Sequence, residues 1–157
     1  MEKRYYIAYG SNLNVRQMRA RCPNATILGT ALLDGWELMF RGSRIGSYLT
    51  IEEREGGRVP VVVWEVTASD ETALDRYEGY PVFYQKREFK LRCKGIRTGK
   101  RRIVTAFAYV MSEGRQIGIP SAAYMHTCLE GYDTFRFDKN ILLAAYDRCS
   151  EVRKVEV

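Results

Sequence analysis

The sequence predicts an α+β fold in which a mainly antiparallel sheet curls into a small barrel flanked by helices. Two observations lead to this prediction. Apolar runs rich in β-branched and aromatic residues recur up to about residue 111 and are typical of short strands. Helix patterns are few in that part of the chain, whereas the last third carries two in succession, so strands and helices are largely segregated along the chain.

The first third of the chain is predicted to hold one strand, one short helix and one hairpin. Residues 4–8 form the strand, and residues 13–21 form a basic helix that ends before Pro23. Residues 25–33 and 36–40 have the composition of two further strands. The Asp34-Gly35 pair between them is typical of a hairpin turn, so we expect these two strands to pair.

The middle of the chain is predicted to be mostly strand. A loop over residues 41–46 leads to a strand over residues 47–52, and Gly56-Gly57 marks a turn over residues 53–58. Residues 59–66 are β-branched and almost continuously apolar, which is typical of a central strand that begins near its proline.

One helix interrupts the strands, and a long hairpin follows it. Ser69 is a capping hydroxyl followed by acidic residues in the first turn, so we expect a helix over residues 69–78 that stops at Gly79. Residues 83–92 and 102–111 are two long strands. The basic segment between them is expected to be a solvated hairpin tip, because no aromatic residues are interleaved there to stack on nucleic-acid bases.

Two helices complete the predicted fold. Ser121 is expected to begin a helix that runs through about Glu130 and stops at Gly131. Asp138 is expected to cap a second helix over residues 139–148, because apolar residues recur there on one face. A charged tail is expected to follow it.

Composition narrows the class of protein. The chain has 157 residues, 46% of them hydrophobic, and a formal net charge of +6, which suits one globular domain. No apolar run is long enough for a transmembrane helix, and the first residues lack the apolar stretch of a signal peptide. We therefore expect a cytoplasmic protein. The positive charge permits an acidic partner or nucleic acid but does not establish one.

Metal binding is not expected from the cysteine and histidine pattern. Four cysteines, Cys22, Cys93, Cys128 and Cys149, are scattered along the chain, and His126 is the single histidine. Zinc sites need ligands at closer spacing, so the sequence predicts reduced, packed thiols and no metal.

The turn after the first strand carries the strongest functional indication. It has the sequence Tyr9-Gly10-Ser11-Asn12-Leu13, in which the glycine permits a positive φ and close approach of another group. Ser11 and Asn12 are good N-cap residues, so we expect a helix to begin there. Free N–H groups at such a turn attract a carboxylate or a developing oxyanion. The sequence therefore predicts a small-molecule anion site.

Glu78 is the residue with the clearest catalytic potential. It lies four positions after Leu74, so on the predicted helix both face the protein interior. It also stands at the helix C-terminus, where the macrodipole disfavours negative charge. Both placements would raise its pKa and suit it to proton transfer. The alternative is an exposed glutamate at a frayed helix end.

Four motifs in this order resemble a known family. They are Tyr9-Gly10-Ser11-Asn12-Leu13, Leu74-Asp75-Arg76-Tyr77-Glu78-Gly79, Tyr84 with Lys86, and Pro120-Ser121-Ala122-Ala123-Tyr124. Together they are similar to the γ-glutamylcyclotransferase-like superfamily, also called AIG2-like, over about the first four-fifths of the chain. One departure follows them: the segment over residues 131–137 replaces a Gly-Leu-Pro-x-x-Tyr stretch that some members carry, and we expect it to border the leaving-group side.

The resemblance implies a single γ-glutamylcyclotransferase-like domain over residues 1–157, built as a small mixed, mainly antiparallel barrel flanked by helices. It implies that Glu78 is the catalytic acid/base and that Tyr124 contacts the substrate, with an interior helix position as the alternative for Tyr124. Tyr84 is expected to be an ordinary strand aromatic. The remaining implied substrate-binding residues are Tyr6, Ile7, Ala8, Tyr9, Gly10, Ser11, Asn12 and Leu13.

The implied reaction is cyclisation of a γ-glutamyl amide to 5-oxoproline with release of an amine or amino acid, without any cofactor. The implied partner is a small-molecule γ-glutamyl substrate rather than a membrane or nucleic acid, and the chain could be a monomer or a homodimer. Two alternatives stay open. One is a non-catalytic binding module for an acidic partner or nucleic acid, and the other removes a γ-glutamyl group from a carrier protein or biosynthetic intermediate.

Overall fold

The computed structural model of the protein describes residues 3–155. The strands are β1 (Arg4–Ala8), β2 (Thr26–Ser43), β3 (Gly46–Val66), β4 (Tyr84–Gly95), β5 (Arg101–Met111) and the short β6 (Gln116–Ile117). The helices are α1 (Val15–Arg21), α2 (Ala68–Glu78), α3 (Ala122–Thr134) and α4 (Lys139–Val155), and a single 3-10 turn covers Ser11–Leu13. The structure does not describe Met1, Glu2, Glu156 and Val157. The predictions made for the two chain ends therefore lie partly outside the described residues.

Five of the strands close into a barrel. They are neighbours in the order β3, β1, β5, β4 and β2, and β2 pairs with β3 to complete the ring. β1 and β5 are parallel, with Tyr6 opposite Phe107, whereas the other pairs are antiparallel. The short β6 is attached to β2 outside the ring. The predicted fold, a mixed and mainly antiparallel barrel flanked by helices, is confirmed.

The hairpin predicted at Asp34-Gly35 is wrong. β2 continues through these residues, and its turn into β3 lies at positions 44 and 45, between the paired residues Ser43 and Gly46. Asp34 pairs with Arg58 and Trp36 with Glu53, so one residue of β2 faces residues 54–57 of β3. The predicted turn at 53–58 is therefore a bulge. Gly35 absorbs this irregularity with a φ of 84°, which glycine adopts without steric cost.

The helix starts differ in detail from those predicted. α1 does not begin at Ser11 or Asn12, because Asn14 is its cap and accepts a hydrogen bond from the Gln17 N–H at 3.2 Å. α2 is capped by Thr67 rather than Ser69, since Thr67 and Asp70 bond each other's main-chain N–H groups reciprocally. Such caps satisfy the free N–H groups that every helix start leaves.

The ends of the helices follow packing as well as local sequence. α2 stops at Gly79, which adopts a left-handed conformation with φ 66°, as predicted. α3 does not stop at Gly131 but continues to Thr134. Gly131 lies within the helix and packs against Leu13 of the turn after β1. At the start of α4, Asp138 accepts a hydrogen bond from the Asn140 N–H at 3.0 Å. The helix α4 extends to Val155 and is thus longer than the predicted helix over residues 139–148.

The topology brings the end of α2 to the end of β1. Val66 at the end of β3 pairs with Arg4 at the beginning of β1, so α2 starts at the opposite end of β1 from the turn. The helix has 11 residues, a length of about 16 Å, and β1 has 5 residues, about 17 Å. α2 therefore runs back along the barrel, and its last turn meets the turn after β1, where the Tyr77 hydroxyl lies 3.0 Å from the Ser11 hydroxyl.

The core fills the barrel and the space beneath its helices. The largest fully buried side chains include Trp64, Phe107 and Ile7 from the barrel strands and Leu74 and Leu142 from the helices. All four cysteines are buried and reduced, as predicted. Within residues 3–155, no helix combines the length and the apolar character that crossing a membrane requires.

Candidate active site

The turn that follows β1 presents main-chain N–H groups at one end of the barrel. The Leu13 N–H donates to the Gly10 carbonyl and the Asn14 N–H to the Ser11 carbonyl, both at 3.0 Å. Because bonding in a 3-10 turn begins at the fourth residue, the N–H groups of Gly10, Ser11 and Asn12 are not bonded within the turn. Gly10 has a φ of −129°, so the positive φ that it permits is not adopted.

Side chains on this turn are held by partners from three other segments. The Ser11 hydroxyl lies 3.0 Å from the hydroxyl of Tyr77 on α2. The Asn12 amide donates to the Tyr6 hydroxyl at 2.9 Å, and its oxygen accepts a hydrogen bond from Arg21 on α1. Asn12 is buried, so these bonds fix its position and with it the path of the turn.

Glu78 is the last residue of α2 and faces the same space as the turn. Leu74, one helical turn earlier, is fully buried, so the predicted inward face of this helix is correct. Glu78 itself is half-buried. Its carboxylate forms no hydrogen bond or ion pair with any other residue in the described range 3–155, and it is therefore free to meet a ligand.

The pKa of Glu78 is raised to about 7. Burial is the dominant cause, because a carboxylate loses hydration among apolar neighbours, and the Arg21 guanidinium partly opposes the rise. The predicted direction of the shift is confirmed. A carboxyl group with this pKa accepts and donates a proton near neutral pH, which is what proton transfer requires.

Glu78 and the turn line one cavity of about 610 Å³. This volume is ordinary for a small-molecule site. The substrate-binding residues implied by the sequence that line it are Tyr6, Tyr9, Gly10, Ser11, Asn12 and Tyr124. Ile7, Ala8 and Leu13 do not line it: all three are buried in the core, and Ile7 points to the opposite side of β1 from Tyr6.

Tyr124 of α3 closes the cavity over Gly10. A Cβ built on Gly10 would lie 3.2 Å from the Tyr124 hydroxyl and 3.4 Å from Leu49, so the close approach expected at this glycine is real. The Tyr124 hydroxyl also accepts a hydrogen bond from the Leu49 N–H at 3.1 Å. The ring is consequently fixed against both the turn and β3.

Tyrosine hydroxyls dominate the polar part of the wall. Burial raises the pKa of Tyr6, of Tyr9 and of Tyr124 above the usual value, so these hydroxyls stay protonated and can donate hydrogen bonds. Tyr84, predicted to be an ordinary strand residue, also lines the cavity, and its hydroxyl donates to the Leu49 carbonyl at 2.7 Å.

An ion-pair cluster supports the wall from behind. Lys86 lies 2.6 Å from Glu71 and 2.8 Å from Asp75, which are neighbours on α2, and Asp75 accepts a hydrogen bond from the Tyr109 hydroxyl. Tyr109 lines the cavity, whereas Lys86 does not. The Tyr84-with-Lys86 motif therefore combines a wall residue with a residue that ties β4 to α2.

Sequence reasoning missed several wall residues, most of which lie on segments distant from the predicted site residues. The missed residues are Ser43, Ile45, Gly46, Tyr48, Leu49, Arg76, Tyr77, Gly79, Phe83, Tyr109 and Arg115. Tyr77 could have been inferred from its place beside Glu78, but the β2–β3 turn gives no local pattern of this kind. No residue of the segment 131–137 lines the cavity, so the expectation that this segment borders it is wrong.

Across residues 3–155, no three His, Cys, Asp or Glu side chains are grouped so as to hold a metal ion.

Comparison with known proteins assigns the family. A family model described as "Gamma-glutamyl cyclotransferase, AIG2-like" matches residues 6–126, which include the turn, Glu78 and Tyr124. The chain belongs to this family. The predicted resemblance is thus confirmed at the level of family and fold.

Two mammalian relatives in this family carry a name that states an activity. Proteins named gamma-glutamylcyclotransferase from Bos taurus and Homo sapiens are each 35% identical to this chain over 81 residues. The match covers 47% of this chain and 43% of each relative, so the chain spans less than half the length of the curated relatives it matches.

Solved structures in the same fold cover almost the whole chain. A structure named gamma-glutamyl cyclotransferase has a TM-score of 0.74 at 26% identity and covers 95% of this chain and 87% of that one. An uncharacterised human protein, loc79017, has a TM-score of 0.71 at 25% identity, covering 96% and 88%. YkqA from Bacillus subtilis, at 18% identity with a TM-score of 0.74 over 96% of this chain and 55% of that one, is similar in fold.

Proposed function

We propose that this chain is a γ-glutamyl cyclotransferase. In this reaction the α-amine of a γ-glutamyl amide attacks the γ-carbonyl of the same molecule, which gives 5-oxoproline and releases an amine or amino acid. The observation that carries the proposal is that Glu78 and the turn Gly10–Asn12 line one cavity. Membership of the family and the names of the two mammalian relatives support the same conclusion.

Glu78 is the proposed proton carrier. A free α-amino group has a pKa of about 8 and is largely protonated at neutral pH, so a base must first take a proton from its nitrogen. The freed lone pair forms the new C–N bond at the γ-carbonyl carbon. Bond formation leaves the attacking nitrogen with two protons and a positive charge. The protonated Glu78 gives its proton to the leaving nitrogen as the old C–N bond breaks, and the restored carboxylate then takes the second proton from the ring nitrogen and passes it to the released amine. The lactam nitrogen of 5-oxoproline is then neutral, the released amine is an ammonium ion, and Glu78 is ionised again. Such proton transfers contribute about 10²–10⁴-fold to a rate.

The turn after β1 is the proposed anion site. The N–H groups of Gly10, Ser11 and Asn12 would hold either the α-carboxylate of the substrate or the oxyanion of the tetrahedral intermediate. Loss of one donor to an oxyanion raises a barrier by about 3–4 kcal/mol. The buried bond between Asn12 and Tyr6 supports this role, because it keeps the turn in place before the substrate binds.

The aromatic walls have a separate proposed task. Cyclisation requires the α-amine and the γ-carbonyl of one flexible molecule to meet, and holding them in contact supplies a large part of such rate enhancements. Tyr9, Tyr124 and Tyr109 line the same cavity as the turn and Glu78, and their rings are rigid surfaces. A low-dielectric wall also strengthens the electrostatic effect of the N–H groups.

The proposal predicts that Glu78→Gln lowers the rate of cyclisation by about 10²-fold or more while substrate binding is retained. Glutamine keeps the size of the side chain but accepts no proton from the substrate ammonium group. The measurement is release of 5-oxoproline from a panel of γ-glutamyl amides with amino-acid, alkylamine and ε-lysyl leaving groups, together with the Kd of each substrate.

Glu88→Gln is the matched control, because Glu88 is an exposed glutamate on β4 that does not line the cavity. It should cyclise substrate at the wild-type rate. Cyclisation by Glu78→Gln at the wild-type rate would remove Glu78 from the mechanism. A folded wild-type protein that releases no 5-oxoproline from any member of the panel would refute the proposed activity itself.

A further inference from the structure

The cavity adjoins a neighbouring groove near the β2–β3 turn. The β2–β3 turn and the strand residues beside it separate the two spaces, and four of these residues line both: Ser43, Ile45, Gly46 and Tyr48. The groove has a volume of about 540 Å³ and continues along the segment 116–121. The cavity and the groove therefore share a wall.

Contacts between rings link Gly10 to Arg115. The Tyr124 hydroxyl lies against Gly10, and the Tyr124 ring is 5.3 Å from the Tyr48 ring, centroid to centroid. The Tyr48 ring is 6.2 Å from the Phe83 ring, and the Arg115 guanidinium carbon is 4.4 Å from the centre of the Phe83 ring. Along this path the rings of Tyr124, Tyr48 and Phe83 lie between Gly10 and Arg115.

Arg115 is held in place, and no residue within the described range 3–155 pairs with its charge. It lies between β5 and β6, is half-buried, and lines the cavity. Its main chain is fixed, because its carbonyl accepts a hydrogen bond from Arg41 at 2.9 Å. Stacking on Phe83 orders the guanidinium plane and leaves its N–H groups pointing away from the ring.

The other arginines stacked on rings are all engaged by a polar partner. The partners are Glu71 for Arg4, Asn12 for Arg21, Glu53 for Arg87 and the Tyr5 hydroxyl for Arg102. Among the stacked arginines of residues 3–155, Arg115 is the one whose guanidinium donates no hydrogen bond. A half-buried, ordered and unpaired guanidinium is suited to a carboxylate on a ligand.

The surrounding charges also favour an anion beside Arg115. Among residues 3–155, Glu78 is the one acidic residue that lines the cavity, and no acidic residue in this range lines the groove. The groove instead contributes Arg44 and Arg153. A negatively charged group near Arg115 would therefore meet cations and no fixed carboxylate beside it.

We propose that Arg115 is the anion-binding residue of a leaving-group subsite. The leaving group of the substrate then carries a free carboxylate, which pairs with Arg115. This inference rests on the proposed function. It assigns a specificity-determining role to a residue that takes no part in proton transfer, and it disfavours alkylamine and ε-lysyl leaving groups that lack a charge at this position.

The test measures binding without turnover. The probes are two analogues of γ-glutamyl-alanine in which a methylene group replaces the scissile N–H, one with a free carboxyl end and one with that end amidated. For the wild-type protein we expect the free carboxyl analogue to bind about tenfold or more tightly, as for a charge-assisted hydrogen bond. In Arg115→Gln this difference should vanish, whereas the affinity for the amidated analogue should stay within about twofold.

Arg87→Gln is the control, because Arg87 also stacks on a ring but lies outside the cavity and groove. It should preserve the discrimination. Equal affinity of the wild-type protein for both analogues, or no binding of either, overturns the proposal, and so does discrimination that survives in Arg115→Gln. Discrimination that depends on Arg115 in a protein that releases no 5-oxoproline would uphold the subsite and refute only the cyclisation chemistry.

Discussion

Arg21 does not line the cavity, yet it contacts two side chains that do. Its guanidinium carbon lies 3.5 Å from the centre of the Tyr77 ring, and it donates a hydrogen bond to Asn12. Its positive charge also lowers the pKa of Glu78, against the larger effect of burial. Arg21 thus joins the turn after β1 to the end of α2 and favours the ionised form of the proposed base.

Replacing Arg21 should therefore change the pH dependence of the reaction. Without its positive charge, burial acts unopposed and the pKa of Glu78 rises further. Since the reaction begins with the carboxylate form, activity falls as the pH drops through this pKa. We expect Arg21→Gln to move the acidic limb of kcat/KM to higher pH, so that activity is reduced several-fold more at pH 6 than at pH 8.

Two further variants separate charge from geometry. Arg21→Lys retains the charge but loses the planar group, so it should restore the position of the acidic limb while kcat stays reduced. Arg19→Gln removes an exposed charge from the same helix and should leave the profile unchanged. An acidic limb at the same pH in Arg21→Gln as in the wild type would contradict the electrostatic role.

At the same scale, the sequence predicts the residues whose roles are local. Glu78 could be inferred because one helical turn links it to Leu74, and Ser11 because it follows directly after a strand. Arg115 and Tyr48 could not, since each reaches the cavity only through the closure of the barrel and carries no sequence pattern of its own. Residues brought together by long-range pairing stay invisible to local spacing.

At the scale of elements, Gly131 fixes the distance between α3 and the turn after β1. A Cβ on Gly131 would lie 2.5 Å from the Leu13 Cβ and 2.7 Å from the Leu13 carbonyl carbon. These atoms belong to the main chain or lie next to it, so they cannot rotate away as a long side chain does. The 3-10 turn that carries the proposed anion site is therefore packed directly against this helix.

Gly131→Ala should destabilise the protein, although alanine is the better helix former by about 1 kcal/mol. The overlap with Leu13 forces α3 and the turn apart, which we expect to lower the free energy of unfolding by about 1–3 kcal/mol. Urea denaturation measures this change. Cyclisation should also slow, because the turn moves. A variant as stable as the wild type, or more stable, would show that Gly131 and Leu13 are not tightly packed.

The strands show why element type is easier to predict than connection. Asp34-Gly35 and Gly56-Gly57 have the composition of turns, and both pairs do lie at irregular backbone. Yet the chain does not reverse at either place, because the long pairing of β2 with β3 continues on both sides. A glycine that permits a tight turn equally permits a bulge, and the partner strand decides between them.

At the scale of the whole molecule, the site exists because the barrel closes. β2 and β3 form its longest hairpin, whose turn supplies part of the cavity wall, and α2 returns along β1 to supply Glu78. The fold class was predictable, since alternating apolar runs and few helices leave little choice. The closure itself depends on the pairing of β2 with β3 over nearly their full lengths, and no local pattern encodes it.

The placement of Glu78 has a cost in stability that depends on pH. Its pKa rises from 4.5 to about 7 on folding, so the folded protein binds this proton more tightly than the unfolded chain does. The stabilising contribution is complete below about pH 4.5 and is lost as the pH rises through about 7. At working pH the protein thus holds a partly ionised carboxyl group in a site that disfavours its charge.

Glu78→Gln should therefore stabilise the protein increasingly as the pH rises. Glutamine does not titrate, so the variant does not lose this stabilising contribution as the pH rises. Between pH 4 and pH 8 we expect its free energy of unfolding to increase by about 1–3 kcal/mol relative to that of the wild type. Urea denaturation at both pH values measures the difference, and Glu88→Gln, at an exposed position, should show no such gain.

Glu78→Gln is also expected to remove cyclisation, so activity and stability should change in opposite directions. A stability difference that stays constant from pH 4 to pH 8 would mean that folding does not perturb the Glu78 carboxyl group, and the physical basis for its role as a proton carrier at neutral pH would be lost.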